Sequence, residues 1–368
     1  MKVRYLDWQE GAGGLEERLK LLRRLFAALL VQENGDVPRS LEILEMIGER
    51  YGLFDEDLTL EDFKRRIEEE KLVVTGPNGR SLTPRGEQFI RADSLNQIFS
   101  NLKGGPGGNH RTPLPGRGAE RLAETRPYQF GDEISDIDFV RSYQEALRRS
   151  VADDGNEGIP GLQEDDLQVF ESEEHVSVAT ALLVDVSHSM ILYGEDRITP
   201  AKRVALALVE LIRTRYPKDA LHVILFGDDA REISIRDLTY CGVGPYHTNT
   251  KAALGLARRI LVRKKHAQKQ IFMITDGKPS ALFEDGRLYL NSMGLDRKIV
   301  AKTLDEAAEC RRHRIPITTF MLARDALLVR FVEDLTRVNQ GRAFFSSLDR
   351  LEQTVFVDFI RNRQKRVR

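Results

Sequence analysis

Apolar residues at Leu15, Leu19, Leu22, Leu25, Phe26, Leu29 and Leu30 recur at the i, i+3, i+4 spacing of one helix face. They predict a helix over 15–32. A second helix fits 40–51 and a third fits 59–71, the last with Thr59 as N-cap and Asp62 three residues on. The period then changes. Two short apolar runs flank Gly76-Pro77-Asn78-Gly79, which predicts a hairpin. From about 176 onward, apolar runs of strand length alternate with helical stripes. Strands are expected over 176–184, 221–226, 230–235, 271–275, 315–322 and 342–345. Helices are expected from Thr199-Pro200, over 251–263, over 299–312 and after the last strand. Thr199 is the expected N-cap and Pro200 the first helical residue. Gly227-Asp228-Asp229 makes a hairpin of the second and third strands. The predicted fold is α/β: a Rossmann-like, doubly wound, mostly parallel sheet behind a smaller, mainly helical N-terminal domain.

The intervening sequence divides the chain further. Residues 102–125 include a Gly/Pro-rich run with little to bury and read as a linker. The expected organisation is a helical domain over 1–101, the linker 102–125, a separate segment over 126–174, the α/β domain over 175–361 and a basic tail over 362–368. Leu82-Thr83-Pro84-Arg85-Gly86 resembles the wing-to-helix junction of winged-helix domains. No G-x-x-x-x-G-K-[ST] occurs, which argues against a P-loop ATPase.

Composition narrows the function classes. The 368 residues carry a net charge of −1, so no global field draws the chain to nucleic acid or to an anionic membrane. Two cysteines, Cys241 and Cys310, suggest no disulfide framework. The first residues lack the apolar core of a secretory signal, and no run approaches the roughly 18 apolar residues of a membrane span. A cytoplasmic protein is expected.

The candidate chemistry lies where apolar runs end. Ala181-Leu-Leu-Val-Asp185-Val-Ser187-His-Ser189 closes one strand with a D-x-S-x-S set. Gln270-Ile-Phe-Met-Ile-Thr-Asp276-Gly closes another. Thr248 stands between them, just before a helical pattern. Two carboxylates and three hydroxyls make an all-oxygen donor set. That suits Mg²⁺ or Mn²⁺ better than zinc or copper, which prefer nitrogen and sulfur. Strand ends of open α/β sheets are where such loops converge. His188 between the serines does not make a nucleophile–base pair, because neighbours in an extended turn point apart. Asp228 and Asp229 read either as a second acidic site or as ordinary turn residues.

The order D-x-S-x-S, then Thr248, then Thr275-Asp276-Gly277 resembles the metal-ion-dependent adhesion site of von Willebrand factor A domains. The resemblance covers about residues 175–361. It implies that Ser187 and Ser189 hold the metal directly, Thr248 directly or through water, and Asp185 and Asp276 through ordered waters. It also implies that an open metal position takes a partner carboxylate, which is binding and not catalysis. Arg126-Pro-Tyr128-Gln-Phe-Gly131-Asp132, continuing to Ile137-Asp138, is similar to the segment before the A domain in bacterial intracellular proteins that accompany MoxR-type AAA+ ATPases. Phe139 departs from that group, which usually has Trp there. The expected partner is thus a MoxR-type AAA+ ATPase or its client. Phe283, Leu288, Tyr289 and Met293 follow Asp276 in a stretch read as an apolar loop on the metal rim. They either pack down on the domain or form a docking patch beside the metal. The competing reading is a nucleic-acid-binding protein that uses the winged-helix-like region and the basic tail. A metal-dependent hydrolase ranks last, because no general base is evident.

Overall fold

In a computed structural model, the described residues are 15–77, 79–102, 120–129, 137–152, 161–173, 177–194, 196–244, 246–276, 278–291, 294–322, 325–345, 351, 355, 358 and 359. They fall into two compact units. One spans Met1–Gly107 together with Ser177–Phe359, and the other includes Gly108–Val176.

The first unit begins with α1 (Leu15–Gln32), α2 (Val37–Arg50) and α3 (Leu60–Glu69). Asp36 caps α2 by accepting from the Arg39 N–H at 3.0 Å. The expected capping box at Thr59 and Asp62 is present, and each side chain accepts from the other residue's N–H. The hairpin β1 (Val73–Gly76) and β2 (Gly79–Leu82) follows, then α4 (Pro84–Leu102). Thr83 starts α4, accepting from the Gly86 N–H at 3.0 Å, with Pro84 at the first helical position. Gly86 allows a close approach here, since a Cβ on it would lie 2.2 Å from the Leu72 carbonyl oxygen.

In the second unit, β3 (Glu120–Pro127) pairs antiparallel with β4 (Gln168–Glu173), and α5 (Phe139–Ala152) lies between them in sequence. The span 120–125, read as the end of a linker, is therefore strand. Arg149 braces the unit through a two-pronged ion pair to the buried Asp166 carboxylate, at 3.0 and 2.8 Å. The Gly131–Asp132 part of the segment before the α/β domain lies outside the described residues.

The first unit continues with β5 (Val178–Asp185), α6 (Ile198–Arg215), β6 (Ala220–Phe226), β7 (Ala230–Ile233), α7 (Thr250–Val262) and β8 (Gln268–Thr275). It then has a second hairpin, β9 (Ala281–Glu284) and β10 (Arg287–Leu290), followed by α8 (Arg297–Arg312), β11 (Ile317–Met321), α9 (Ala326–Asn339) and β12 (Arg342–Phe345). The main sheet has the order β12-β11-β8-β5-β6-β7 and is parallel except for β7. Every residue of β5 is buried, as a central parallel strand covered on both faces should be. On one face Ala181, Leu183, Met273 and Ile317 pack with α7, α8 and α9. On the other, Phe272 meets Phe320 and Phe359 edge-on.

Three expectations change. Helix α6 begins at Ile198, and the Thr199 N–H is taken by the Asp196 carboxylate at 3.0 Å, so Thr199 is inside the helix and not its cap. Helix α9, capped by Asp325, lies between two strands that the sequence pattern placed in succession. The apolar stretch after Asp276 is a hairpin and not a loop.

The N-terminal helices pack with the sheet domain as one unit, and polar groups pin the junction. Lys202 on α6 is 1% exposed. Its ammonium donates to the Val31 carbonyl at 3.0 Å, Asn34 Oδ1 at 2.8 Å and the Thr239 carbonyl at 3.1 Å. Arg91 of α4 donates to Glu210 of α6 at 3.2 Å, and both side chains are buried. Glu87 of α4 receives Arg236 and the Tyr240 hydroxyl.

Candidate metal and docking site

The site forms where the sheet reverses its winding. From β5 the chain crosses through α6 to β6 on one side, and it later returns through α7 to β8 on the other. The carboxyl ends of β5 and β8 therefore lie side by side, with Val184 opposite Ile274 in register. Such a switch point is where open α/β sheets leave a crevice for ligands. Asp185 ends β5, and Asp276 follows β8 directly.

Around this crevice the loops are laced by backbone hydrogen bonds. The Val186 N–H donates to the Phe226 carbonyl and the His188 N–H to the Tyr246 carbonyl. The Gly244 N–H donates to the Val186 carbonyl. Thr248 is tied to the loop after Asp276. Its N–H donates to Ser280 Oγ at 2.9 Å, and its carbonyl accepts from the Ser280 and Ala281 N–H groups. Asn249 caps α7, accepting from the Ala252 N–H at 3.0 Å, and its amide donates to the Asp228 carbonyl. Ser280 and Asn249 were not singled out in the sequence. They position Thr248 from either side.

Four of the candidate donors, Ser187, Ser189, Thr248 and Asp276, lie on the loops that follow the strands, and Asp185 closes β5. Asp185, Ser187, Thr248 and Asp276 are buried, and Ser189 is half-buried. The Ser187 and Ser189 hydroxyls lie 2.9 Å apart. Asp185 is fixed at both oxygens, accepting from the Ser187 N–H at 2.9 Å and from the Thr275 hydroxyl at 2.5 Å. Burial first, and the Asp276 charge second, push the Asp185 carboxyl well above the ordinary carboxylate range. The hydrogen bond from Thr275, the residue before Asp276, brings the two buried carboxylates to the same end of the sheet. Asp276 is approached by the Arg197 guanidinium at 3.7 Å. No cluster of three or more His, Cys, Asp or Glu among the described residues could hold a metal. A cation at this crevice would therefore depend on hydroxyls as well as carboxylates. That donor set fits a hard divalent ion.

The rim carries the apolar hairpin. In the β9–β10 register Phe283 faces Leu288 and Ala281 faces Leu290, so these four share one side. Phe283 and Leu290 are exposed and Leu288 is half-buried. Tyr289 is on the opposite side, where its hydroxyl donates to Asp296 and its ring lies under Lys298. Met293 lies outside the described residues. The signal for the hairpin is Asp285-Gly286, whose φ angles of 49° and 75° are those of a two-residue turn with both centres left-handed. His188 is exposed. Asp228 is engaged by His247, whose N–H donates to its carboxylate at 2.7 Å.

Comparisons with known proteins agree with this architecture. Residues 178–360 match the family model described as Rv0959-like protein, vWA domain, and residues 120–172 match that of Rv0959-like protein, third domain. Protein Rv0959 of Mycobacterium tuberculosis, described as uncharacterized, is 33% identical over 314 residues, 83% of this chain and 46% of that protein. Mb0984 of Mycobacterium bovis matches to the same extent. The chain spans about half the length of these curated relatives. Among solved structures, the PilB minor pilin from Streptococcus sanguinis is 14% identical with a TM-score of 0.43, covering 57% of this chain and 66% of that one. The vWF domain of the pilus tip protein Mfa5 from Porphyromonas gingivalis is 12% identical with a TM-score of 0.43, covering 52% and 97%. No helix among the described residues is long and apolar enough to cross a membrane.

Proposed function

Because residues 178–360 belong to the vWA domains of Rv0959-like proteins, we propose that the chain is a metal-dependent protein-binding module that docks an acidic side chain of its partner. The observation that carries this reading is the buried pair Asp185 and Asp276 at the sheet's switch point, beside the Ser187 and Ser189 hydroxyls. Two carboxylates held close in a dry crevice call for a cation.

In this reading Mg²⁺ or Mn²⁺ is held by Ser187, Ser189, Thr248, Asp185 and Asp276. The ion, when bound, supplies an open coordination position to an external carboxylate. The chain's own residues do the rest. Thr275 and the Ser187 N–H orient Asp185, and Ser280 fixes the backbone of Thr248. Phe283, Leu288 and Leu290 supply apolar area beside the acidic contact, while Tyr289, on the other side of the hairpin, braces it through Asp296. Among the described residues of the crevice none stands out as a general base, and in this reading the site binds a partner and does not turn over a substrate. The partner we favour is a MoxR-type AAA+ ATPase or its client, by the resemblance of the segment around Tyr128 and Ile137-Asp138.

The test is an affinity capture of partners by the full chain in Mg²⁺ and in EDTA, with Ser187→Ala alongside. Recovery of an AAA+ ATPase by wild type in Mg²⁺ alone supports the reading. Equal capture in EDTA, or by the variant, would falsify it.

A further inference from the structure

Arg197 stands beside Asp276 without belonging to the donor set. Its Nη1 lies 3.7 Å from Asp276 Oδ2, and the two side chains are 13% and 4% exposed. The backbone holds it there. The Arg197 N–H donates to the Met190 carbonyl at 2.9 Å, and its own carbonyl accepts from the Ala201 N–H as α6 begins. Helix α6 is itself fixed, five residues on, by the three hydrogen bonds of Lys202. The guanidinium therefore sits on a rigid support and not on a loose loop. With so little exposure, its charge is weakly screened by salt.

A fixed cation next to Asp276 has opposite effects on two states of the site. With no metal bound, it neutralises part of the charge that Asp185 and Asp276 bring together. With a divalent ion on the same carboxylates, it adds repulsion between cations. We propose that Arg197 is a built-in counter-ion of the metal site, stabilising the metal-free protein and weakening its hold on a divalent cation. The inference rests on the metal reading above. Linkage fixes the relation: whatever favours the metal-free form lowers metal affinity by the same factor. A partner carboxylate adds negative charge to a cluster that then holds two cations. Its arrival offsets part of the repulsion between Arg197 and the metal. An ion pair of purely structural value would instead stabilise the metal-free and metal-loaded protein alike.

Calorimetric titration of the full chain with MgCl₂ and with MnCl₂ tests this, together with thermal melts in EDTA and in saturating metal. Wild type is compared with Arg197→Ala, Arg197→Gln and Arg197→Lys. Removing the charge should tighten Mg²⁺ binding by about tenfold, the equivalent of about 1.4 kcal/mol. The Ala and Gln variants should melt below wild type in EDTA and recover in metal. Arg197→Lys, which keeps the charge, should stay within about threefold of wild type. Equal affinities for wild type, Ala and Gln would overturn the counter-ion role while leaving the metal reading intact. So would an equal fall in melting temperature with and without metal. Metal binding by none of the four proteins would remove the metal reading and this inference with it.

Discussion

Lys202→Met is the sharpest perturbation of the junction between the N-terminal helices and the sheet domain. Methionine keeps the length and the apolar stem but removes the ammonium. Three acceptors then lose their donor: the Val31 carbonyl at 3.0 Å, Asn34 Oδ1 at 2.8 Å and the Thr239 carbonyl at 3.1 Å. A buried acceptor without a partner costs about 1–3 kcal/mol. Against this stands the relief of no longer burying a charge, for burial already holds the Lys202 amine below its ordinary pKa. The net loss expected is about 2–4 kcal/mol, or a fall of about 4–10 °C in Tm. Urea unfolding followed by far-UV circular dichroism measures it. A double-mutant cycle with Asn34→Gly isolates one arm. Glycine is the appropriate partner because Asn34 has a φ of 53°, where alanine would add strain of its own. A coupling of about 1 kcal/mol is expected between the two positions. A Lys202→Met protein within about 0.5 kcal/mol of wild type, or a cycle with no coupling, would refute the junction as described.

Glu210→Gln should cost about 3 kcal/mol, because it leaves Arg91 buried beside a neutral amide, whereas Arg91→Met with Glu210→Leu should come close to wild type; urea midpoints decide it. Asp93, half-buried, has its carboxyl pushed up from 3.8 to about 6, chiefly by burial. The folded state thus holds this proton more tightly than the unfolded chain does, and the stability it contributes is present below about pH 4 and lost as pH rises through about 6. Asp93→Asn should therefore match wild type near pH 4 and exceed it by up to about 3 kcal/mol at pH 8, read as urea midpoints at the two pH values. Gly341→Ala should destabilise by about 2 kcal/mol or more in the same assay, since its Cβ would lie 2.0 Å from the Ile317 carbonyl oxygen.

The strand that carries Asp185 was legible because it is apolar throughout and ends abruptly in hydroxyls and a carboxylate, as a strand buried on both faces must where it reaches solvent. The capping box at Thr59 was legible for a related reason: both of its partners lie within one turn. What escaped depended on approach in space. Lys202 on an apolar stripe gives no local sign that its acceptors stand 171, 168 and 37 residues away. Asn339 likewise reads as a helix end, yet its amide donates to the Ala307 and Ile315 carbonyls and its Oδ1 accepts from the Ile317 N–H, joining three elements. Two features were locally encoded and still passed over. Asp285-Gly286 marks the rim hairpin, and Asp325 followed by Leu328, Phe331, Val332 and Leu335 marks α9. At the site, the candidate donors Asp185, Ser187, Ser189, Thr248 and Asp276 could be proposed from the sequence in order, while Arg197, Ser280 and Asn249 could not, because their parts follow from loop packing and not from spacing.

The first unit is discontinuous in sequence, and this has a consequence for how the chain is made. Helix α4 ends at Leu102, and α6, the helix it packs on, begins at Ile198. A ribosome working at about 5–20 residues per second needs roughly 5–20 s to make the intervening chain. Through that interval Arg91 is without Glu210, and α4 has no α6 to lie against. Residues 120–173 can meanwhile close on themselves, since β3 and β4 pair within that stretch. Synthesis thus leaves a nascent helical segment waiting on a module translated after it. That waiting segment is the natural point of attack for proteases and the natural client for a holding chaperone.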